Sequence, residues 1–283
     1  MSKRLLFRRM LKSKFFMIGL LVVLGILVVT IFAPQIVLFD PLKNSLFERL
    51  QKPDWFSKGM AGHILGTDEL GRDVFTRLLT GAQISLIIAA AVTSIQIILG
   101  TVLGVVSGYI GGWVDVLIMR VCDIFLALPS MLVAIALMAV LGASIPNLIF
   151  ILSITGWVQF CRVTRNNVKI IRSMEFVSAE KVMGASRFRI MFKQILPNVT
   201  TDILVLASQR FGYTISTEAT LSFLSLGVAE PMPSWGNMIA SGRDFLSTCP
   251  WLIFAPGLAL MVTVLAFNFL GDGLRDVLDP KRL

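Results

Sequence analysis

The chain has 283 residues, of which 55% are apolar and only 15% charged, with a mean hydropathy of +0.81. A soluble core of this length cannot hide so many aliphatic side chains from water, so lipid must solvate much of the surface and an ordinary soluble globule is excluded. The formal charge of +9 would point a soluble chain toward nucleic acid, but in a membrane protein the placement of each cation carries the information.

Phe15 to Ala33 is uncharged and long enough to cross the hydrocarbon core. It lacks the short apolar region and small-residue cleavage site of a signal peptide, so it reads as a retained anchor. Leu78 to Val114 is again uncharged, with Gly108, Gly111 and Gly112 near its end, which predicts a second span over roughly Ile84–Val106. Before it, Thr67 or Asp68 can cap an amphipathic elbow with Leu70, Val74, Leu78 and Leu79 toward lipid and Arg72, Asp73 and Arg77 in water. The elbow suits either a membrane-surface anchor or a contact for an external binding protein. Gly100, Gly104, Gly108 and Gly112 recur every four residues and form a face for close helix approach, within the chain or toward a partner.

Ile124 to Cys161 carries no charge, and the turn signal at Gly142, Pro146 and Asn147 divides it into spans three and four. A fifth span is predicted from Pro197 to about Phe223 and a sixth from about Cys249 to Gly271. Arg210 and Glu218 lie inside the fifth, two turns apart, where ionisable groups face a cavity or a partner rather than lipid. They read as a wall of a translocation pathway or as an internal ion pair that fixes packing. Arg120 and Asp123 read as a local pair. Cys122, Cys161 and Cys249 have no paired spacing and read as small apolar fillers, and the lone His63 cannot build a metal cluster.

With both termini cytoplasmic, eighteen cations fall on inner segments and seven on outer ones, with Arg210 left inside a span. This asymmetry explains the net charge through topology and lipid headgroups, without nucleic acid.

The inner segment Arg172–Asn198 reads RSMEFVSAEKVMGASRFRIMFKQILPN. Ser173 can cap a short helix, Glu175 suits its N-terminal end, Gly184 stops it, and Ser186 can cap a second helix up to Ile195. Phe176, Val177, Ala179, Val182 and Met183 form an apolar set, with small residues at Ser178, Ala179, Gly184 and Ala185. Physics alone allows a helix lying in the headgroups or one fitting a groove on another protein.

This segment resembles the coupling loop of importer-type permease subunits of the ATP-binding cassette family, whose pattern is E-A-A, three residues, Gly, nine residues, then I-x-L-P. Ala179, Gly184, Leu196 and Pro197 match in register, while Ser178, Glu180 and Gln194 replace the first Glu, the second Ala and the Ile. HILGTDELGRDVFTRLLTGAQISL from His63, LSFLSLGVAEPMPSWGNMI from Leu221 and LAFNFLGDGLRDVLDP from Leu265 resemble the second permease subunit of dipeptide, oligopeptide and nickel importers.

The resemblance implies an all-α integral membrane protein with six transmembrane helices in a type I importer permease fold. Its partners would be a related second permease, two cytoplasmic ATPase subunits that bind ATP and magnesium, and an extracytoplasmic substrate-binding protein. Glu175, Phe176, Ser178, Ala179, Glu180, Gly184, Ala185, Leu196 and Pro197 would then contribute to the contact with the ATPase. The expected organisation is a basic tail at 1–14, a first span at 15–37, an outer segment at 38–83, a permease core at 84–273 holding the coupling loop 172–198, and a cytoplasmic tail at 274–283.

The cargo would be peptides, or, with the same architecture, nickel or a metal chelate. The sequence contains no phosphate loop, no H-E-x-x-H and no G-x-S-x-G, so it offers no catalytic constellation and no cofactor site of its own. The alternative from another class is a stand-alone secondary carrier or channel. That would favour paired broken helices near the midplane, which the sequence does not announce.

Overall fold

The computed structural model describes residues 10–53 and 62–278, so the first nine residues and the last five, which hold most of the two expected basic tails, lie outside it, as does Lys58. The described chain is helical, and its only β-type pairing is an isolated bridge between Thr67 and Asp73. Nine helices carry the argument: α1 (Lys14–Ile31), α2 (Val74–Ile110), α3 (Gly112–Ala127), α4 (Ser130–Leu141), α5 (Ile145–Arg172), α6 (Glu175–Val182), α7 (Leu196–Phe223), α8 (Trp235–Gly242) and α9 (Trp251–Leu278).

α1 starts where Ser13 accepts from the Phe16 amide, and its outer surface of aliphatic residues is the one expected of a helix facing lipid. α2 is far longer than the expected second span. Its 37 residues correspond to about 55 Å, well beyond the hydrocarbon thickness. Gly111, at φ +72°, ends it as the glycine pattern predicts.

The third span differs from a plain helix. α3 and α4 are bent by 82° across Leu128–Pro129; five other helices are long and apolar enough to cross a membrane, and this pair taken as one broken span brings the candidates among the described residues to six. Proline cannot donate a backbone hydrogen bond, so the ladder breaks there. A broken helix, which the sequence reading did not anticipate, is therefore present, though as a single one among the described residues. The turn at Gly142 is where it was expected, with Ser144 capping α5 through the Asn147 amide.

α2 and α5 form the most extensive helix pair. A Cβ placed on Gly100, Gly104 or Gly108 would come within 2.5 Å of the Trp157 carbonyl, 2.6 Å of the Cys161 carbonyl and 2.8 Å of the Arg165 carbonyl. The small-residue face thus brings two backbones together within this chain, whereas Gly112 has nothing near it. α7 packs on α9, α2 and α5, and α1 lies against α9.

Near the start of α3, Asp115 accepts from Arg165 and Lys169 of α5 and from Ser107 of α2. Asp123 pairs with Arg162 rather than with Arg120, because the neighbouring helix brings a guanidinium closer than its own turn does. All three cysteines are free and buried, and Cys122 and Cys161 share one apolar cluster.

Candidate coupling surface and membrane cavity

The loop between α5 and α7 has the two-helix form expected, with one change of cap. Ser173 ends α5 by donating to the Ile170 carbonyl and does not cap α6, which begins after Met174 without a side-chain cap. α6 closes in a Schellman turn. The Gly184 amide donates to the Lys181 carbonyl and the Ala185 amide to the Glu180 carbonyl, with Gly184 at φ +81°.

Ser186 then accepts from the Arg189 amide, as expected of a cap. The second helix does not stop before Pro197: a π-type turn over Ile190–Ile195 leads straight into α7, where Pro197 sits in the first turn and leaves no donor unpaired. This loop and span five are therefore continuous helix from Arg187 onward.

Only one member of the expected apolar set on α6 is buried. Val177 inserts beside Ile190, Met191, Ile195 and Val199, in a cluster that also holds Tyr109 of α2 and Phe160 and Val168 of α5. Phe176 is 39% exposed, Met183 73%, Val182 90% and, beyond the turn, Phe188 67%, so a short helix keyed into the bundle by one valine turns several large apolar side chains outward. Glu175, Ser178 and Ala179 lie on the exposed surface, Ala185 and Leu196 pack against the cluster, and Pro197 is exposed. Glu180 accepts a 2.7 Å hydrogen bond from the Gln194 amide and ties the end of α6 to the turn before α7.

Arg210 and Glu218 do not meet. Arg210 is half-buried and lies over the Tyr213 ring, 5.1 Å from its centroid. It lines a cavity of about 240 Å³ with Gln96, Leu128, Ser130, Gln159 and Tyr213, so residues from α2, α5 and α7 and from both sides of the break between α3 and α4 converge there. Glu218 is fully buried elsewhere, accepting from Ser222 at 2.8 Å with Ser85 and Ser234 beside it. It is packed where α7 meets α2 and α8 and does not line the cavity that holds Arg210. Eight residues turn a helix by about 80°, enough to send one group to a cavity and the other into the core.

The predicted elbow is also corrected. Asp73, not Thr67 or Asp68, caps α2 through the Thr76 amide, and Val74 and Leu79 point inward. Arg72, Asp73 and Arg77 are buried rather than wet. Arg72 pairs with Asp68 and Glu69, Arg77 with Asp68, and His63 Nδ1 lies 2.8 Å from Asp73. Burial pushes the Glu69 carboxyl above its ordinary value. Sequence reasoning missed this network because its members alternate in sign at short spacing, which reads as a solvated face. It missed the cavity because Gln96 is a lone amide, beside Thr93 and Ser94, in an otherwise apolar run. Pro129 was the one available signal for the break.

Residues 100–283 match the family model for the binding-protein-dependent transport system inner membrane component. Residues 4–53 match the N-terminal transmembrane domain of oligopeptide transport permease C. Among known relatives, the dipeptide transport system permease protein DppC of Alkalihalophilus pseudofirmus is 41% identical over 97% of this chain and 88% of its own length. The di/tripeptide permease DppC of Pseudomonas aeruginosa is 41% identical over 93% of this chain and 87% of the relative. The oligopeptide permease OppC of Bacillus subtilis is 38% identical over 96% and 88%, respectively.

Proposed function

Because the chain belongs to the family of binding-protein-dependent transport system inner membrane components, we propose that it forms half of the translocation pathway of an ATP-driven peptide importer. The other half comes from a related second permease, energy from two cytoplasmic ATPase subunits that bind ATP and magnesium, and cargo from an extracytoplasmic receptor. Peptide is the cargo assigned because the relatives carry dipeptide, di/tripeptide and oligopeptide names.

The observation that carries the coupling role is the pairing of an outward apolar surface at Phe176, Val182, Met183 and Phe188 with an inward key at Val177. ATPase closure on nucleotide would push α6. The push would pass through Val177 and the Ile190–Ile195 turn into α7, and the helices around the cavity would open it first outward and then inward. Both termini lie in the cytoplasm in this arrangement.

Uptake of a labelled tripeptide into proteoliposomes holding the assembled complex tests the proposal: uptake should require ATP, the ATPase subunits and the receptor. Transport by this chain alone under an ion gradient would favour a secondary carrier. Uptake of a nickel chelate in place of peptide would move the cargo to the metal branch.

A further inference from the structure

The cavity that holds Arg210 has a charge pattern that distinguishes the two ends of a peptide. Arg210 sits midway along α7, half-buried, with no carboxylate among the described residues to balance it. An unbalanced guanidinium at that depth is expensive unless water or a ligand anion completes it.

The first turn of α4 opens on the same cavity through Ser130 and Met131. This twelve-residue helix has Pro129 at its N-cap and no side-chain capping bond, so its leading amides and the positive end of its dipole are left for a ligand.

Gln96 gives an independent indication. It lines the cavity at 4% exposure, where its Nε2 donates to the Leu152 carbonyl at 2.8 Å and its buried Oε1 has no partner. The space for this amide exists because residue 156 is glycine. A buried carbonyl oxygen of this kind calls for an N–H donor.

Resting on the peptide-importer reading above, we infer that this cavity is a passage site for the C-terminal end of the peptide, with Arg210 and the open end of α4 receiving the free carboxylate and the Gln96 side chain turning its covered Oε1 toward the space to accept from a peptide N–H. The planar fork of an arginine suits a carboxylate. A peptide's C-terminal residue supplies the anion and a donor together, whereas an inorganic anion brings no N–H and an N-terminal ammonium is repelled by Arg210.

The test uses the full complex in proteoliposomes with trialanine and its C-terminal amide, each supplied on saturating receptor after its receptor affinity has been measured separately. Wild type should import the free acid at least about tenfold faster than the amide, the scale of a charge-assisted hydrogen bond in a dry site. Arg210→Gln should bring that ratio close to one, and Arg210→Lys should restore part of it. Gln96→Leu should slow both peptides while keeping the ratio.

If Arg210→Gln leaves the ratio untouched, slows both peptides equally or prevents assembly of the two permeases, Arg210 serves packing or an acid of the partner permease and the inference fails. A wild-type complex that imports both peptides without preference also overturns it while leaving the peptide reading intact. A complex that imports neither overturns both.

Discussion

Glu180 and Gln194, two of the positions at which the loop between α5 and α7 departs from the pattern it resembles, are hydrogen-bonded to each other at 2.7 Å. The pattern has Ala and Ile there, a small residue beside an apolar one. Here the two changes answer one another: a carboxylate accepts from an amide in a half-buried contact that apolar packing would otherwise fill.

The pair should behave as a unit in a double-mutant cycle. Glu180→Ala leaves the Gln194 amide without its partner, Gln194→Ile leaves the carboxylate so, and each should reduce thermal stability and ATP-driven uptake. The double variant should recover most of both, with a coupling of about 1 kcal/mol. Losses that simply add would show that the bond does nothing.

Gly184 has open space around it but a φ of +81°, so a side chain there meets strain rather than a clash. Gly184→Val should cost about 1–2 kcal/mol in the turn. It should also separate permease assembly, which is retained, from ATPase co-purification and uptake, which fall. Gly184→Asn should be milder because asparagine tolerates the left-handed region. Ala179→Asp should resemble the valine variant by placing a charge in the same contact. Normal co-purification and uptake in Gly184→Val and Ala179→Asp would remove the coupling role from this loop.

The glycine ladder makes an opposite kind of claim. At Gly104 an added Cβ would sit 2.6 Å from the Cys161 carbonyl, whereas at Gly25 it meets nothing. Gly104→Ala should therefore lower the yield and melting temperature of the permease, by about 1–3 kcal/mol as an overpacked contact. Gly25→Ala should lower neither and can raise the melting temperature slightly, since alanine is the better helix former. Equal behaviour of the two in a detergent thermal-shift assay would show that α2 and α5 are not in backbone contact.

For Glu218, full burial beside Ser222 predicts that Glu218→Gln disturbs stability of the assembled subunit before it disturbs cargo choice. Its melting temperature should shift, while the free-acid to amide uptake ratio stays at the wild-type value. A changed ratio with unchanged stability would return Glu218 to the pathway.

The cap of α2 offers a further check. Asp73 holds both the Thr76 amide and His63, so Asp73→Ala should cost about 1 kcal/mol for the cap and leave His63 without its buried partner. His63→Ala should lose only the second contribution. A smaller loss from Asp73→Ala than from His63→Ala in the same thermal assay would contradict the capping role.

The sequence by itself determined which segments are apolar enough to cross, where glycine ends helices at Gly111, Gly142 and Gly184, and that Ser186 caps a turn. These features are local: each is decided by a residue and its neighbours within about one helical turn. It also carried the loop pattern at Ala179, Gly184, Leu196 and Pro197, whose register is a matter of spacing.

Only the tertiary structure decided what each charged or polar group faces. Arg72 and Arg77 look solvated by pattern and are sequestered because Asp68 and Glu69 supply their partners, while His63 and Asp73 pair beside them. Arg210 and Glu218 look like a pair by spacing and are parted because α7 has a cavity on one side and α2 with α8 on another. Gln96 is set into the cavity by the missing side chain of Gly156, sixty residues on. A sequence fixes the angle between two side chains on one helix, but the identity of the surface each meets depends on which distant segment packs there.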